Sequence, residues 1–267
     1  MIKLIALDLD GTLLSPMGTI TPASKAAIAR ARRAGVRVVL NTGRPIPEAI
    51  YFSREAGCDD LLSCLGGAAL VDGGTGEVLL RHDIPEPSGS RALALCLGRE
   101  IELMIFAGSE ILVDPFSKES LLRNYPFPNF HNNAILTQDP LAYMAQHGLP
   151  LTKIHGDWNK GNYPLKELVA LPGVELTSSN DQDFELVAAG VNKGKTLEQL
   201  AQRYGLTLAE CAAVGDSDND LAMLRAVGTP IAMGNASQRV KETACRVVTT
   251  HAQDGVAQAI LSCLEAQ

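Results

Sequence analysis

The run "IALDLDGTLL", Ile5–Leu14, carries two aspartates, Asp8 and Asp10, at the end of an otherwise apolar stretch. Residues two apart on an extended chain point to the same side, so two like charges are held together where the backbone is greasy enough to be buried. A buried carboxylate is costly unless it is paired, hydrogen-bonded or bound to a metal. Any fold open to this chain must therefore bring something cationic to that strand end.

The same grammar recurs along the sequence. Ile2–Leu9, "VRVVL" (Val36–Leu40) and Ala212–Val214 are short runs, apolar on both faces, as central parallel strands are. Thr21-Pro22 starts a helix, Thr as cap and Pro in the first position, that runs to Gly35. A second helix follows "NTGRP" and ends near Gly57; "LLSCL" (Leu61–Leu65) is a third strand. "ALVDGGTGEVLL" turns back on its glycines as a hairpin. After residue 185 the alternation returns, with helices over Thr196–Tyr204, Asn219–Val227 and Gln238–Ala244, strands at "PIAM" and "RVVT", and a last helix from Val256. This order predicts an α/β fold built on a Rossmann-like parallel sheet. Between residues 83 and 185 the rhythm changes. Pro85, Pro87, Pro115, Pro126, Pro128, Pro140 and Pro150 punctuate shorter elements. The expected organisation is a core domain from residues 1–82 and 186–267, interrupted by an inserted α+β domain over 83–185.

Four polar clusters end apolar strands of the core: Asp8/Asp10, Thr42, the Lys193 region and Asp216–Asp220. Ligands of open parallel sheets sit outside the carboxyl ends of the strands, so four converging ends point to one site. "GDSDND" packs Asp216, Asp218 and Asp220 into five residues, which suits a hard cation. An EF-hand would need Gly at the sixth position and Glu at the twelfth; Leu221 and Val227 stand there. A capped helix start would account for one or two of these carboxylates, not for three beside a second acidic pair. Lys193 and Lys195 open a helix, where the dipole disfavours cations unless an anion lies in front. "NTGR" offers the Thr42 hydroxyl, the freed backbone of Gly43 and Arg44; taken alone it reads equally well as an ordinary strand-to-helix turn.

Composition narrows the partners. The 267 residues suffice for one large or two modest domains, and a net charge of −7 argues against nucleic acid or an anionic membrane. The six cysteines form no CxxC pair and read as reduced thiols, and the five histidines show no spacing that suggests zinc. The start of the chain lacks a basic segment and cleavage site, and no apolar run approaches the roughly 18 residues of a membrane span. A cytoplasmic protein is expected.

"DLDGTLL", "NTGR", "GVNKG" and "GDSDND" occur in the order and spacing of the haloacid dehalogenase superfamily, which the chain resembles over nearly its whole length. The tail "IAMGNAS…VKETA…VVTTHAQDGVA" and the position of the insert are similar to the Cof-type sugar-phosphate phosphatases, which carry a C2-type cap. The resemblance implies that Asp8 is the nucleophile that takes the phosphoryl group, with Asp10 as acid and then base. Mg²⁺ would be held by Asp8, Asp216 and the backbone carbonyl of Asp10, with Asp220 ligating or supporting it. Thr42, Gly43, Lys193, Asn219 and the Asp10 amide would grip the phosphate of a small phosphorylated metabolite. Two positions depart from the family: Gly66 and His251 stand where Asn is usual. "HGDWNKGN" (155–162) and "SSNDQDF" (178–184) are the insert's candidate substrate-facing pieces. A phosphomutase of the same superfamily would need cap residues for a second phosphate, and Arg91, Arg99 and Arg123 are scattered. A non-catalytic phosphometabolite sensor would be marked by degenerate motifs, and all four are intact.

Overall fold

The computed structural model describes every residue except 158, 179–181 and 266–267. Two compact units make up the chain: Met1–Leu80 with Asn192–Gln267, and Arg81–Val191.

The first unit is built on five parallel strands in the order Arg246–Val247, Thr229–Ala232, Cys211–Gly215, Leu4–Leu7, Arg37–Leu40. Leu4 to Leu7 are completely buried, as a strand with neighbours on both sides and apolar side chains on both faces must be. Leu7 is in register with Val214 on one side and Leu40 on the other. That register brings Asp8, the Asp216 loop and Asn41–Thr42 out at the same carboxyl edge. Local chemistry sets the flanking helices. Thr21 caps Pro22–Arg33 by accepting the Ser24 N–H at 3.2 Å, and Pro22 takes the first position. Asn192 accepts from the N–H groups of Gly194 and Lys195 at 3.1 and 3.0 Å. This cap starts the helix Lys193–Arg203 three residues before the expected Thr196.

Leu61–Cys64 is a strand, as expected, but it pairs antiparallel with Ala69–Asp72 in a separate three-stranded sheet completed by Val78–Arg81. One parallel bridge, Asn41 to Ser63, ties it to the end of the main sheet. The cause is the reversal at Leu65–Gly67, three successive residues with φ of 54°, 72° and 99°. Position 66 thus requires a left-handed backbone, which Gly and Asn adopt most readily. This accounts physically for the Gly that stands where the family resemblance leads one to expect Asn.

The second unit holds a six-stranded sheet in the order Val174–Thr177, Phe184–Ala188, Leu151–Asp157, Glu102–Ala107, Glu110–Val113, Ala134–Leu136. Its last pair is parallel and the rest antiparallel. Three of its prolines start helices: Pro115 behind the cap Asp114, Pro128, and Pro140 behind the cap Asp139. The changed rhythm of the sequence here is the punctuation of an α+β unit by helix starts. Trp158, Ser179, Asn180 and Asp181 of the two candidate pieces lie outside the described residues. Among the described residues no helix is long and apolar enough to cross a membrane.

Candidate active site

Asp8 leaves its strand with 3% of its surface exposed, and its Oδ1 lies 2.6 Å from Lys193 Nζ. The same ammonium lies 2.6 Å from Asp220 Oδ1 and 3.3 Å from Asn219 Oδ1. Asp8, Asp216 and Asp220 each offer a carboxylate oxygen within 4.8 Å of the others. One ammonium therefore faces three carboxylates in a largely dry pocket. Burial first, then Asp220, pushes Asp8 well above the ordinary carboxylate range, against the pull of Lys193. Asp216 rises to about 6 for the same two reasons, with a hydrogen bond from Thr12 Oγ1 at 2.7 Å opposing. Burial by itself would lower Lys193, but Asp220 and Asp8 outweigh it and hold the amine firmly protonated.

Each part is held by local structure. Asp220 has a second task besides Lys193: its Oδ2 accepts the N–H groups of Asp216 and Ser217 at 2.9 and 3.1 Å, so it folds the loop that presents Asp216. Gly11 has φ of 75°, and a Cβ there would lie 2.4 Å from Asp216 Oδ2; only glycine lets the two acidic loops approach. The Gly11 carbonyl accepts from Asn235 Nδ2 at 2.8 Å and from His251 Nδ1 at 3.0 Å. His251, the second departure from the family pattern, thus braces the loop that carries Asp10. Asn41 donates to the Lys193 carbonyl at 2.9 Å and ties the start of the lysine helix to the adjacent strand. Thr42 is buried, and its hydroxyl accepts the Arg44 N–H at 3.1 Å.

The structure brings Asp8, Asp216, Asp220, Lys193 and Asn219 together. The side chain of Asp10 is not part of that cluster: it meets Arg44 in a two-pronged pair, Nε to Oδ2 at 2.8 Å and Nη2 to Oδ1 at 2.7 Å. Sequence reasoning noted Arg44 only as part of "NTGR", without a role, and overlooked Thr12, Asn41, Glu48 and Asn235. For Thr12 a signal existed, a hydroxyl two residues past an acidic pair. Asn41 and Asn235 lie inside "NTGR" and "IAMGNAS", and Glu48 stands four residues after Arg44; their bracing contacts reach partners distant in sequence or out of sight in a helix's buried face.

Oxygen donors in surplus over local cations are what a hard divalent cation requires. Asp8 and Asp216 fit such an ion, because with Asp220 they set three carboxylate oxygens within 4.8 Å of one another against the single ammonium of Lys193.

Residues 5–260 match the family model of the haloacid dehalogenase-like hydrolases. Similar proteins include the pyridoxal phosphate phosphatase YbhA of Escherichia coli, 30% identical over 97% of this chain and 98% of its own. Another is the 5-amino-6-(5-phospho-D-ribitylamino)uracil phosphatase YcsE of Bacillus subtilis, 30% identical over 97% of this chain and 94% of its own. The chain belongs to the haloacid dehalogenase-like hydrolases. It is an enzyme of that family's phosphatases, the phosphoric monoester hydrolases. A solved haloacid dehalogenase-like hydrolase from B. subtilis superposes with a TM-score of 0.86 at 27% identity, covering 97% of this chain and 99% of that one. Phosphatases of this family generally use a metal, which agrees with the carboxylate surplus at Asp8, Asp216 and Asp220.

Proposed function

We propose that this enzyme is a Mg²⁺-dependent phosphatase of small phosphomonoesters that works through an aspartyl-phosphate on Asp8. The observation that carries this reading is Lys193, a buried ammonium 2.6 Å from both Asp8 and Asp220 that leaves the carboxylate cluster with excess negative charge. Asp8 and Asp216 would hold the ion with the Asp10 carbonyl, and Asp220 supports the loop. When bound, Mg²⁺ supplies positive charge to the phosphoryl oxygens and favours an ionised Asp8.

The chain's own groups carry the chemistry. Lys193 fixes the Asp8 carboxylate from one side, and Thr42, Gly43 and Asn219 surround the phosphate. An Asp8 oxygen attacks phosphorus while the ester P–O bond breaks, and Asp10 gives its proton to the leaving oxygen. Water then attacks the phosphorus of the acyl phosphate and yields its proton to Asp10, which frees phosphate and restores Asp8. A carboxylate nucleophile divides one difficult displacement into two easier steps. Lysine neutralises charge on the equatorial oxygens in both.

The relatives named above act on chemically different phosphates, which supports a small phosphorylated metabolite as the substrate class. Selectivity is assigned to the inserted unit, as a C2-type cap, and the setting to the cytoplasm. The test is phosphate release from a panel of sugar phosphates, nucleotides, FMN and pyridoxal phosphate, with Mg²⁺ and with EDTA. Release that survives exhaustive chelation overturns the metal assignment; no release from any ester overturns the phosphatase.

A further inference from the structure

Asp10 is the exposed member of the acidic set, with 53% of its side chain accessible. A short exposed carboxylate samples several staggered rotamers, whereas acid–base catalysis needs one. The fork of Arg44 engages both Asp10 oxygens, at 2.8 and 2.7 Å, and so sets both side-chain torsions at once. Arg44 is itself braced from behind. Its Nη1 donates to Glu48 Oε2 at 2.6 Å, four residues on in the first turn of the helix Ile46–Ala56, and the Glu48 side chain is completely buried. The Arg44 backbone is tied on both sides: its N–H donates to Thr42 Oγ1 at 3.1 Å, and its carbonyl accepts the Leu65 N–H at 3.0 Å.

We propose that Arg44 is a positioning residue: held by Glu48, it sets the orientation of Asp10. The proposal rests on the phosphatase reading for the task it gives Asp10. An exposed aspartate–arginine pair by itself contributes little. Here, however, a carboxylate has been taken wholly out of water to hold the arginine, an arrangement that is costly as a source of stability and useful for direction. Arginine is specified over lysine because a planar fork orients a carboxylate and a single ammonium does not. The competing role for Arg44, a direct grip on the substrate phosphate, makes opposite kinetic demands.

A double-mutant cycle separates the two. Wild type, Arg44→Ala, Arg44→Lys, Asp10→Asn and the Arg44→Ala/Asp10→Asn pair are compared on p-nitrophenyl phosphate and glycerol phosphate. The nitrophenolate leaves without a proton; the glycerol alkoxide needs one. Arg44→Ala should lower kcat for glycerol phosphate by about 10²-fold, the scale of a misplaced catalytic group. It should slow the single-turnover first step on p-nitrophenyl phosphate by less than about tenfold, with KM nearly unchanged. Arg44→Lys should recover part of the loss. In the Asp10→Asn background, removing Arg44 should add no more than about twofold. Losses that multiply, or a raised KM with kcat retained for both esters, would overturn the proposal. Should wild type release phosphate from neither ester, the phosphatase reading fails by itself, and crystal structures of Arg44→Ala and Glu48→Gln decide the relay. Asp10 should then lose its single rotamer; an unchanged Asp10 rejects it.

Discussion

Lys153 and Lys193 are each 1% exposed, and each meets a carboxylate in a group with the geometry of a metal site. In the second unit, His155, Asp183 and Glu185 bring ligand atoms within 4.8 Å of one another, as Asp8, Asp216 and Asp220 do in the first. Their electrostatics are opposed. Lys153 Nζ lies 2.8 Å and His155 Nδ1 3.5 Å from Glu185 Oε1. Burial would raise Glu185, but Lys153 and then His155 overcome it and hold the acid well below the ordinary carboxylate range. Asp8 is driven the other way, by burial first and then by Asp220, against the pull of Lys193. Proximity of ligand-type atoms is common to both clusters; the balance of charge differs, with three carboxylates against one lysine in the first and two against a lysine and an imidazole in the second. The larger the carboxylate surplus, the more a cluster calls for a cation from outside.

If that distinction holds, turnover separates the clusters most widely. Asp8→Asn removes the attacking oxygen and should cost on the order of 10⁴-fold or more in kcat for any ester, as loss of a covalent nucleophile does. Glu185→Gln should leave Mg²⁺-dependent hydrolysis of p-nitrophenyl phosphate within about tenfold, since it touches no reacting group. Steady-state rates of the two purified variants provide the comparison. Comparable losses would mean that the second cluster belongs to the chemistry.

Stability should invert the order. Glu185→Gln removes the carboxylate charge 2.8 Å from the buried Lys153, and breaking a buried pair from one side typically costs about 3 kcal/mol or more. Asp8→Asn in metal-free protein removes one of three mutually repelling carboxylates and leaves Lys193 with Asp220 at 2.6 Å; it should be neutral or stabilising. Urea unfolding in EDTA measures both. Equal destabilisation would remove the electrostatic contrast between the clusters.

Much of this contrast was open to inspection in the sequence, and the part that was not has a physical reason. Asp8, Lys193 and Asp216 betray themselves because charges end apolar runs or open a helix, and burial of such residues requires a partner. Strands Leu4–Leu7, Arg37–Leu40 and Cys211–Gly215 were legible from apolarity on both faces. The partner of Leu61–Cys64 was not, since an apolar run looks alike in parallel and antiparallel sheets, and the deciding turn depends on Leu65 adopting a positive φ. Arg44 and Asp10 are 34 residues apart; no periodicity joins them. The pieces that hold His155 and Asp183 were singled out as substrate-facing, but Lys153 and Glu185 were not, since each sits in a strand as an ordinary polar residue beside an apolar one.

The smallest of these effects is the pH dependence of metal-free stability, where the two clusters should slope in opposite directions. Asp216 has an ordinary value of 3.8 and is raised to about 6 in the folded chain. Between those values the folded state keeps a proton that the unfolded state has lost, so stability falls as pH rises through the window. Asp216 contributes at most one proton to the slope, about 1.4 kcal/mol per pH unit, and Asp8, which is also raised, adds in the same direction. Glu185, depressed from its ordinary 4.5, contributes stability that is present above that value and disappears as pH falls toward its folded one. The windows are therefore separate: the Asp216 loss develops between about pH 4 and 6, and the Glu185 loss below it. Asp216→Asn, which imitates the protonated form, should make the upper window shallower and leave the lower one, and Glu185→Gln the reverse. Thermal unfolding in EDTA at half-unit steps from pH 3 to 7 tests this. Curves for wild type and Asp216→Asn that run parallel across the upper window would mean that Lys193 already neutralises the first cluster. The surplus charge that calls for a cation would then not exist.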